Sequence, residues 1–253
     1  MIEESFADGN SVIHCLDPKL KIVFAAIFSL VVAVSNDLNT LLVALLVAVS
    51  MVYFARLNLK DILKRLSVVL GFIALIWLVM PLTYEGPALF YFGPLRLTQP
   101  GILLSAQISL KSITILLLLM ALLATMTIAT LGHALNRMGL PDKLVHLLLI
   151  TYRYIFVIEQ EYQRLIRAMR IRGFRPGTNL HSYKSYAYLI GMLFVRSSTR
   201  GERVYQAMKC RGFSGKFHTL WTNEPNRHNW TFSLVMTVII SFLIIYELWQ
   251  KIN

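Results

Sequence analysis

Carboxylates are scarce in this 253-residue sequence: 13 Asp and Glu stand against 25 Lys and Arg, a formal charge of +12. Cysteine is scarcer, with only Cys15 and Cys210. Neither has a Cys or His at metal-finger spacing, which argues against a zinc module and a disulfide-stapled scaffold. The chain has no G-x-x-x-x-G-K-[ST] run to cradle the phosphates of ATP. It also lacks H-E-x-x-H, a nucleophile elbow and a carboxylate pair within its apolar runs. There is no Lys/Arg-dense tail and no nucleic-acid motif, so the basic charge does not read as a nucleic-acid footprint. The first ten residues carry Glu3, Glu4 and Asp8, the reverse of the basic start of a cleavable signal peptide.

Apolar residues are abundant, at 56% with a mean hydropathy of +0.60. Soluble domains come near half apolar only when glycine is counted. The apolar residues also cluster in runs, which makes this an all-α integral membrane protein. Asp17 before Pro18 is a helix-start signal, a cap followed by proline at the first helical position. Runs at 22–34 and 40–54 predict a tight helical hairpin, with Lys19 and Lys21 snorkelling at its base. Arg56, Lys60, Lys64 and Arg65 predict a basic loop, and 66–82 a third span. The stretch 83–100, with Gly86, Pro87, Gly93, Pro94 and Arg96 as its only basic residue, predicts an outer loop. In 102–131, Lys111 divides an interfacial or re-entrant first third from a span at 113–131. Its amine reads as snorkelling to the outer interface, although a charge inside an apolar stretch is otherwise a functional signal. A final run at 232–248, bracketed by Trp230 and Trp249, predicts a last span.

Between the fourth and last spans, the chain turns polar. Residues 132–230 hold 16 Lys and Arg against 5 Asp and Glu, so +11 of the +12 lies there. By the positive-inside rule this block is cytoplasmic. About five spans follow, with the amino terminus inside and the carboxyl terminus outside. The parts are a four-span membrane domain at 1–131, a cytoplasmic module at 132–230 and a final transmembrane helix at 231–253. Both cysteines fall on the reducing side. Within the module, Leu140-Pro141-Asp142-Lys143 starts a long amphipathic helix that Gly173 stops. Helices at 183–195 and 196–211 follow, the latter with Arg196, Arg200 and Arg203 on one face.

A heptapeptide occurs twice in this block: Ala-Met-Arg-Ile-Arg-Gly-Phe at 168–174 and Ala-Met-Lys-Cys-Arg-Gly-Phe at 207–213, 39 residues apart. Each reads as a helix end. Gly173 and Gly212 take the left-handed position after the helix, Phe174 and Phe213 the next one. Arg172 and Arg211 then sit where the helix dipole favours a cation. Capping alone does not require Ala168 and Ala207, or Met169 and Met208. A small residue permits close approach, methionine fills irregular surface, and arginine pairs with carboxylates in a bidentate fork. Together these residues describe a helix end that inserts into a protein groove. Arg164, Arg170, Arg196, Arg200, Arg203 and Lys209 supply a supporting basic face.

The sequence resembles the transmembrane T component of energy-coupling factor (ECF) transporters, in the CbiQ branch associated with cobalt or nickel uptake. The resemblance rests on His14-x-Leu16-Asp17-Pro18-Lys19-x-Lys21, on Arg172-Gly173-Phe174, and on Arg196-Ser197-x-x-Arg200-Gly201-Glu202-Arg203-Val204-Tyr205-x-Ala207-Met208-x-x-Arg211-Gly212-Phe213. It implies two cytoplasmic coupling helices, each docking in one of two ABC ATPase subunits (CbiO-like). It implies a membrane S component that binds the substrate, CbiM-like and with or without a CbiN-like subunit. Arg172 and Arg211 become the docking arginines, Gly173 and Gly212 the helix stops. Ile171 and Cys210 depart from the pattern, which has Ala there. The chain then needs no cofactor: ATP and Mg belong to the ATPases, cobalt or nickel to the S component. A vitamin cargo is the alternative within the family. An interfacial enzyme using His14, His133, His146 or Glu159, and a self-contained metal carrier, are the rivals from other classes.

Overall fold

Asp17 and Pro18 begin the first helix as their chemistry dictates. The Asp17 side chain accepts the Lys19 N–H at 3.0 Å, and Pro18 occupies a first-turn position whose N–H has no helical partner. The computed structural model describes residues 9, 11, 13–14, 16–84, 88–92, 95–213 and 227–252. Cys15, Glu3, Glu4, Asp8, Gly86, Pro87, Gly93 and Pro94 lie outside these. In chain order the elements are α1 (Pro18–Val34), α2 (Leu38–Ala55), α3 (Leu59–Thr83), β1 (Ala88–Phe92), β2 (Leu95–Thr98), α4 (Gln99–Leu122), α5 (Ile128–Arg137), α6 (Asp142–Ile171), α7 (Leu180–Cys210) and α8 (Arg227–Ile252).

The class is all-α membrane protein, as expected. Helices α2, α3, α4 and residues 229–250 of α8 are long and apolar enough to cross a bilayer. Helix α1, at 17 residues, packs against α4 and α8. Large apolar side chains cover the outer faces, among them Leu30, Leu46, Phe72, Leu75 and Ile245. Water would penalise that surface, whereas lipid matches it.

Several boundaries differ from expectation. The basic residues Lys60, Lys64 and Arg65 do not form a loop, because α3 already begins at Leu59 with Asp61 in its first turn. The expected re-entrant segment and span at 113–131 are instead one helix, α4, which Pro100 starts and which runs through Lys111 without a break. It stops at Leu122 because threonines compete for the backbone. Thr125 donates to the carbonyls of Ala121 and Leu122, and the Thr127 hydroxyl accepts the Thr130 N–H, capping α5. The two helices expected at 183–195 and 196–211 are the single helix α7, which carries Gly191 and Gly201 in its interior. The stretch between α3 and α4 contains a short antiparallel hairpin, β1 with β2, in register Tyr91↔Arg96 and Phe92↔Leu95. Its Leu-Phe-Tyr-Phe run favours extended backbone.

The chain packs as two units, one built on Gly132–Thr222 and one on Glu3–Leu131 with Asn223–Asn253. In the second, α4 packs against α1, α2 and α3, and α8 packs against α1 and α2. Ala25, Ala44, Ala48 and Ala121 are fully buried there, so helix axes approach closely. Phe28, Leu118, Leu122, Met236 and Leu243 fill the space between them, and Phe24 meets Phe232 edge to face at 5.8 Å. Gly101 is obligatory at the α3–α4 contact, because a Cβ there would lie 2.8 Å from the Pro81 Cα.

One end of this unit is closed by polar bonds around the α1–α2 turn. Lys111 Nζ donates to the Ala33 carbonyl at 3.0 Å and to Asn36 Oδ1 at 3.1 Å. A cation thus meets an orphan carbonyl at the end of α1. Gln107 donates to the Asn36 carbonyl at 2.6 Å. Glu247 of α8, only 8% exposed, accepts from the Ser35 hydroxyl and from the Asn36 N–H. Helices α4 and α8 thereby hold the turn that follows α1. Replacing Glu247 with Ala leaves two donors short of their acceptor and should cost about 2 kcal/mol. The thermal midpoint in detergent should fall by roughly 4–8 °C. An unchanged midpoint would mean that the carboxylate does not hold the turn.

Candidate functional site

The unit around 132–222 is built on two long helices that run in opposite directions. Helix α6 has 30 residues and α7 has 31, about 45 Å each at 1.5 Å per residue. Asn179 caps α7 by accepting the Ser182 N–H at 2.9 Å. Phe213, just past the end of α7, packs on His146 near the start of α6, with ring centres 6.2 Å apart. Phe174, just past the end of α6, packs edge to face on Tyr186 of α7 at 5.6 Å. The two heptapeptides therefore lie at opposite ends of the pair. Arg172 is 26 residues beyond His146, roughly 40 Å along α6.

Both heptapeptides close their helices with the same bonds. The Phe174 N–H donates to the Met169 carbonyl at 3.1 Å and the Gly173 N–H to that of Arg170 at 3.0 Å. The Phe213 N–H donates to the Met208 carbonyl at 3.1 Å and the Gly212 N–H to that of Lys209 at 3.0 Å. This is the Schellman pattern. It needs left-handed backbone at the glycines, which have φ of 82° and 78°. Exposure matches position by position as well. Ala168 and Ala207, Arg170 and Lys209, Ile171 and Cys210, Arg172 and Arg211, and both glycines are exposed; Met169 and Met208, with the two phenylalanines, are half-buried. The fold therefore presents two copies of one surface, with arginine at the tip of each.

The supporting basic face divides in two. Arg170 and Arg203 remain exposed, and Lys209 lies over the Tyr205 ring, 4.9 Å from its centre. Arg164, Arg196 and Arg200 turn toward Glu161 instead. Arg196 hydrogen-bonds its carboxylate, while Arg164 and Arg200 stand 3.6 and 3.8 Å away. Glu161 is 9% exposed. The hydrogen bond from Arg196, with the charges of all three arginines, holds its carboxyl below the usual carboxylate range, against the opposing effect of burial. Beside this cluster, α6 and α7 leave a groove of about 420 Å³ lined by Tyr154, Ile158, Val204 and Met208. A cluster of charge therefore ties together helices that are otherwise partly separated. Sequence reasoning alone passes over Glu161. Its one signal is position, a carboxylate three residues before Arg164 within a strongly basic block.

The residues considered for an enzyme do not converge. His14 hydrogen-bonds Ser11, His146 packs on Phe213, His133 lies on α5, and Glu159 is exposed on α6. Cys210 is a free, exposed thiol at the end of α7. Among the described residues, no three His, Cys, Asp or Glu side chains gather as a metal-holding group.

Comparison with known proteins adds to this geometry. The family model CbiQ, described as cobalt transport protein, matches residues 9–220. The chain belongs to the CbiQ family. It is 25% identical over 263 residues to the energy-coupling factor transporter transmembrane protein EcfT of Bacillus subtilis, covering 97% of each chain. It is 27% identical over 259 residues to EcfT of Macrococcus caseolyticus, again covering 97% of each. EcfT of Leuconostoc gelidum is 28% identical over 221 residues, 82% of each chain. The CbiQ match takes in both heptapeptides and Glu161.

The lowered pKa fixes the sign of a pH effect. The pairing of Glu161 is complete above the ordinary carboxylate range and is lost as pH falls through its own, lower value. Spin labels on α6 and α7 should report a fixed spacing at neutral pH and a broadened one in strong acid. Glu161→Gln should show the broadened spacing already at neutral pH. Identical distance distributions for the two proteins would rule out the carboxylate as the tie.

Proposed function

We propose that this chain is the energy-coupling T subunit of an ECF-type ABC importer. The observation that carries this reading is the pair of identically capped, arginine-tipped helix ends at opposite ends of one antiparallel pair. Two equal surfaces suit two ABC ATPase subunits, and full-length similarity to EcfT proteins supports the same role. Arg172 and Arg211 each enter an ATPase groove and pair with carboxylates there. Ala168 and Ala207 allow close approach, while Met169 and Met208 fill the contact.

Closure of the ATPases on ATP moves the two helix ends. Glu161, between those ends, passes the displacement from α6 to α7 instead of letting each helix bend alone. The movement reaches a membrane S component, which releases its ion inward. ATP and Mg stay with the ATPases and the cargo with the S component, so this chain is non-catalytic. The basic block and the amino terminus face the cytoplasm, by the positive-inside rule, and the carboxyl terminus lies outside. Cobalt or nickel is the cargo, in keeping with the family's description as cobalt transport protein.

Charge reversal tests the docking. Arg172→Glu or Arg211→Glu should weaken ATPase association by at least about 2 kcal/mol, some 30-fold, and the double variant should lose co-purification altogether. Membrane insertion should be unaffected, because both side chains are exposed. Normal co-purification of the double variant would defeat the proposal.

A further inference from the structure

A second feature lies in the membrane unit, where α2 passes into α3. Arg56, between these helices, has φ 50° and ψ 42°. It is the one residue other than glycine with positive φ among the described residues. Left-handed backbone is costly for a side chain with a Cβ, and glycine or asparagine would hold this turn more easily. An arginine held in this conformation raises the question of what its side chain does there.

Its surroundings bear on that question. Arg56 lines a groove of about 690 Å³ whose walls include Val49, Val52, Phe54 and Leu59. That volume suits an acyl chain. Tyr53 and Phe54 stand 81% and 59% exposed at its edge, the placement of interfacial aromatics. Lys60 and Lys64 follow on one face of α3, four residues apart and both exposed. Neither they nor Arg56 form an ion pair among the described residues. Because α2 and α3 are both membrane-crossing in length and composition, the turn between them sits at a membrane face whichever way the chain is oriented. An apolar groove opening beside unpaired cations at a membrane face has two chemistries to satisfy. One molecule that satisfies both is already in the bilayer.

We propose that the α2–α3 turn is a binding site for an anionic phospholipid. Arg56 holds the phosphate in a bidentate fork, Lys60 adds a second cation, and one acyl chain lies along Val49, Val52, Phe54 and Leu59. Charge complementarity selects phospholipids with net negative headgroups over zwitterionic ones. A basic side chain near an anionic surface contributes roughly fivefold in affinity, so the pair contributes on the order of 25-fold.

The test uses the full chain in nanodiscs of phosphatidylcholine alone or with phosphatidylglycerol, and reads retained lipid by native mass spectrometry. The wild type should retain phosphatidylglycerol preferentially. Arg56→Gln with Lys60→Gln should lose that preference by roughly 25-fold, whereas Lys184→Gln, another exposed cation, on α7, should keep it. Arg56→Gly relieves the backbone and removes the guanidinium, so it should fold at least as well as wild type and still lose the lipid. The proposal is overturned if Arg56→Gly retains phosphatidylglycerol, if the double variant keeps the preference, or if inorganic phosphate displaces the lipid and proves the true ligand. None of these readouts depends on ATPase docking, so this inference and the proposed coupling role stand or fall separately.

Discussion

The pairing of Glu161 with Arg164, Arg196 and Arg200 is the constraint on which the 132–222 unit depends. Beside it, α6 and α7 are held apart by an apolar groove, and the outer stretches of both helices are largely exposed. Helices packed along their whole length would move as a single block. Here the charge cluster joins them part-way along, and the Phe174–Tyr186 and Phe213–His146 ring contacts join them at the ends. The surplus of arginine makes this tie possible without consuming the basic surface: three guanidiniums surround one carboxylate, and Arg170, Arg172, Arg203 and Arg211 stay exposed.

The equivalence of the two tips follows from short-range chemistry. A Schellman cap depends on a glycine at one position, and the same residues around it generate the same bonds wherever they occur. Ile171 and Cys210 do not disturb this, because both project from the helix surface, with Ile171 87% exposed. A branched apolar side chain and a thiol therefore sit beside the two arginines. The copies share a backbone and a charge pattern and differ at two positions, Arg170 against Lys209 and Ile171 against Cys210.

How much of this was legible in the sequence depended on the range of the forces involved. The α1 start at Asp17-Pro18 and both Arg-Gly-Phe ends were readable because capping involves residues within one turn. The membrane class was readable because it is a matter of bulk hydropathy. The continuity of α4 through Lys111 was not. A lone lysine suggests a boundary until the Ala33 carbonyl and Asn36, more than seventy residues earlier, are seen to receive it. Glycines at 191 and 201 raised no barrier to α7. The division of the basic face was hidden for the same reason, since the partner of Arg196 lies 35 residues away in sequence. Arg56 read in the sequence only as one cation of a basic loop, because its unusual feature is a backbone angle.

The proposed coupling requires that the two tips engage two ATPase molecules at once. Cross-linking from Cys210 and from an Ile171→Cys replacement, in membranes holding the whole transporter, measures this directly. Each position should join to an ATPase subunit, and a chain linked at both should carry two. Cross-links from either tip to the S component alone, or from both tips to one ATPase molecule, would contradict the coupling role.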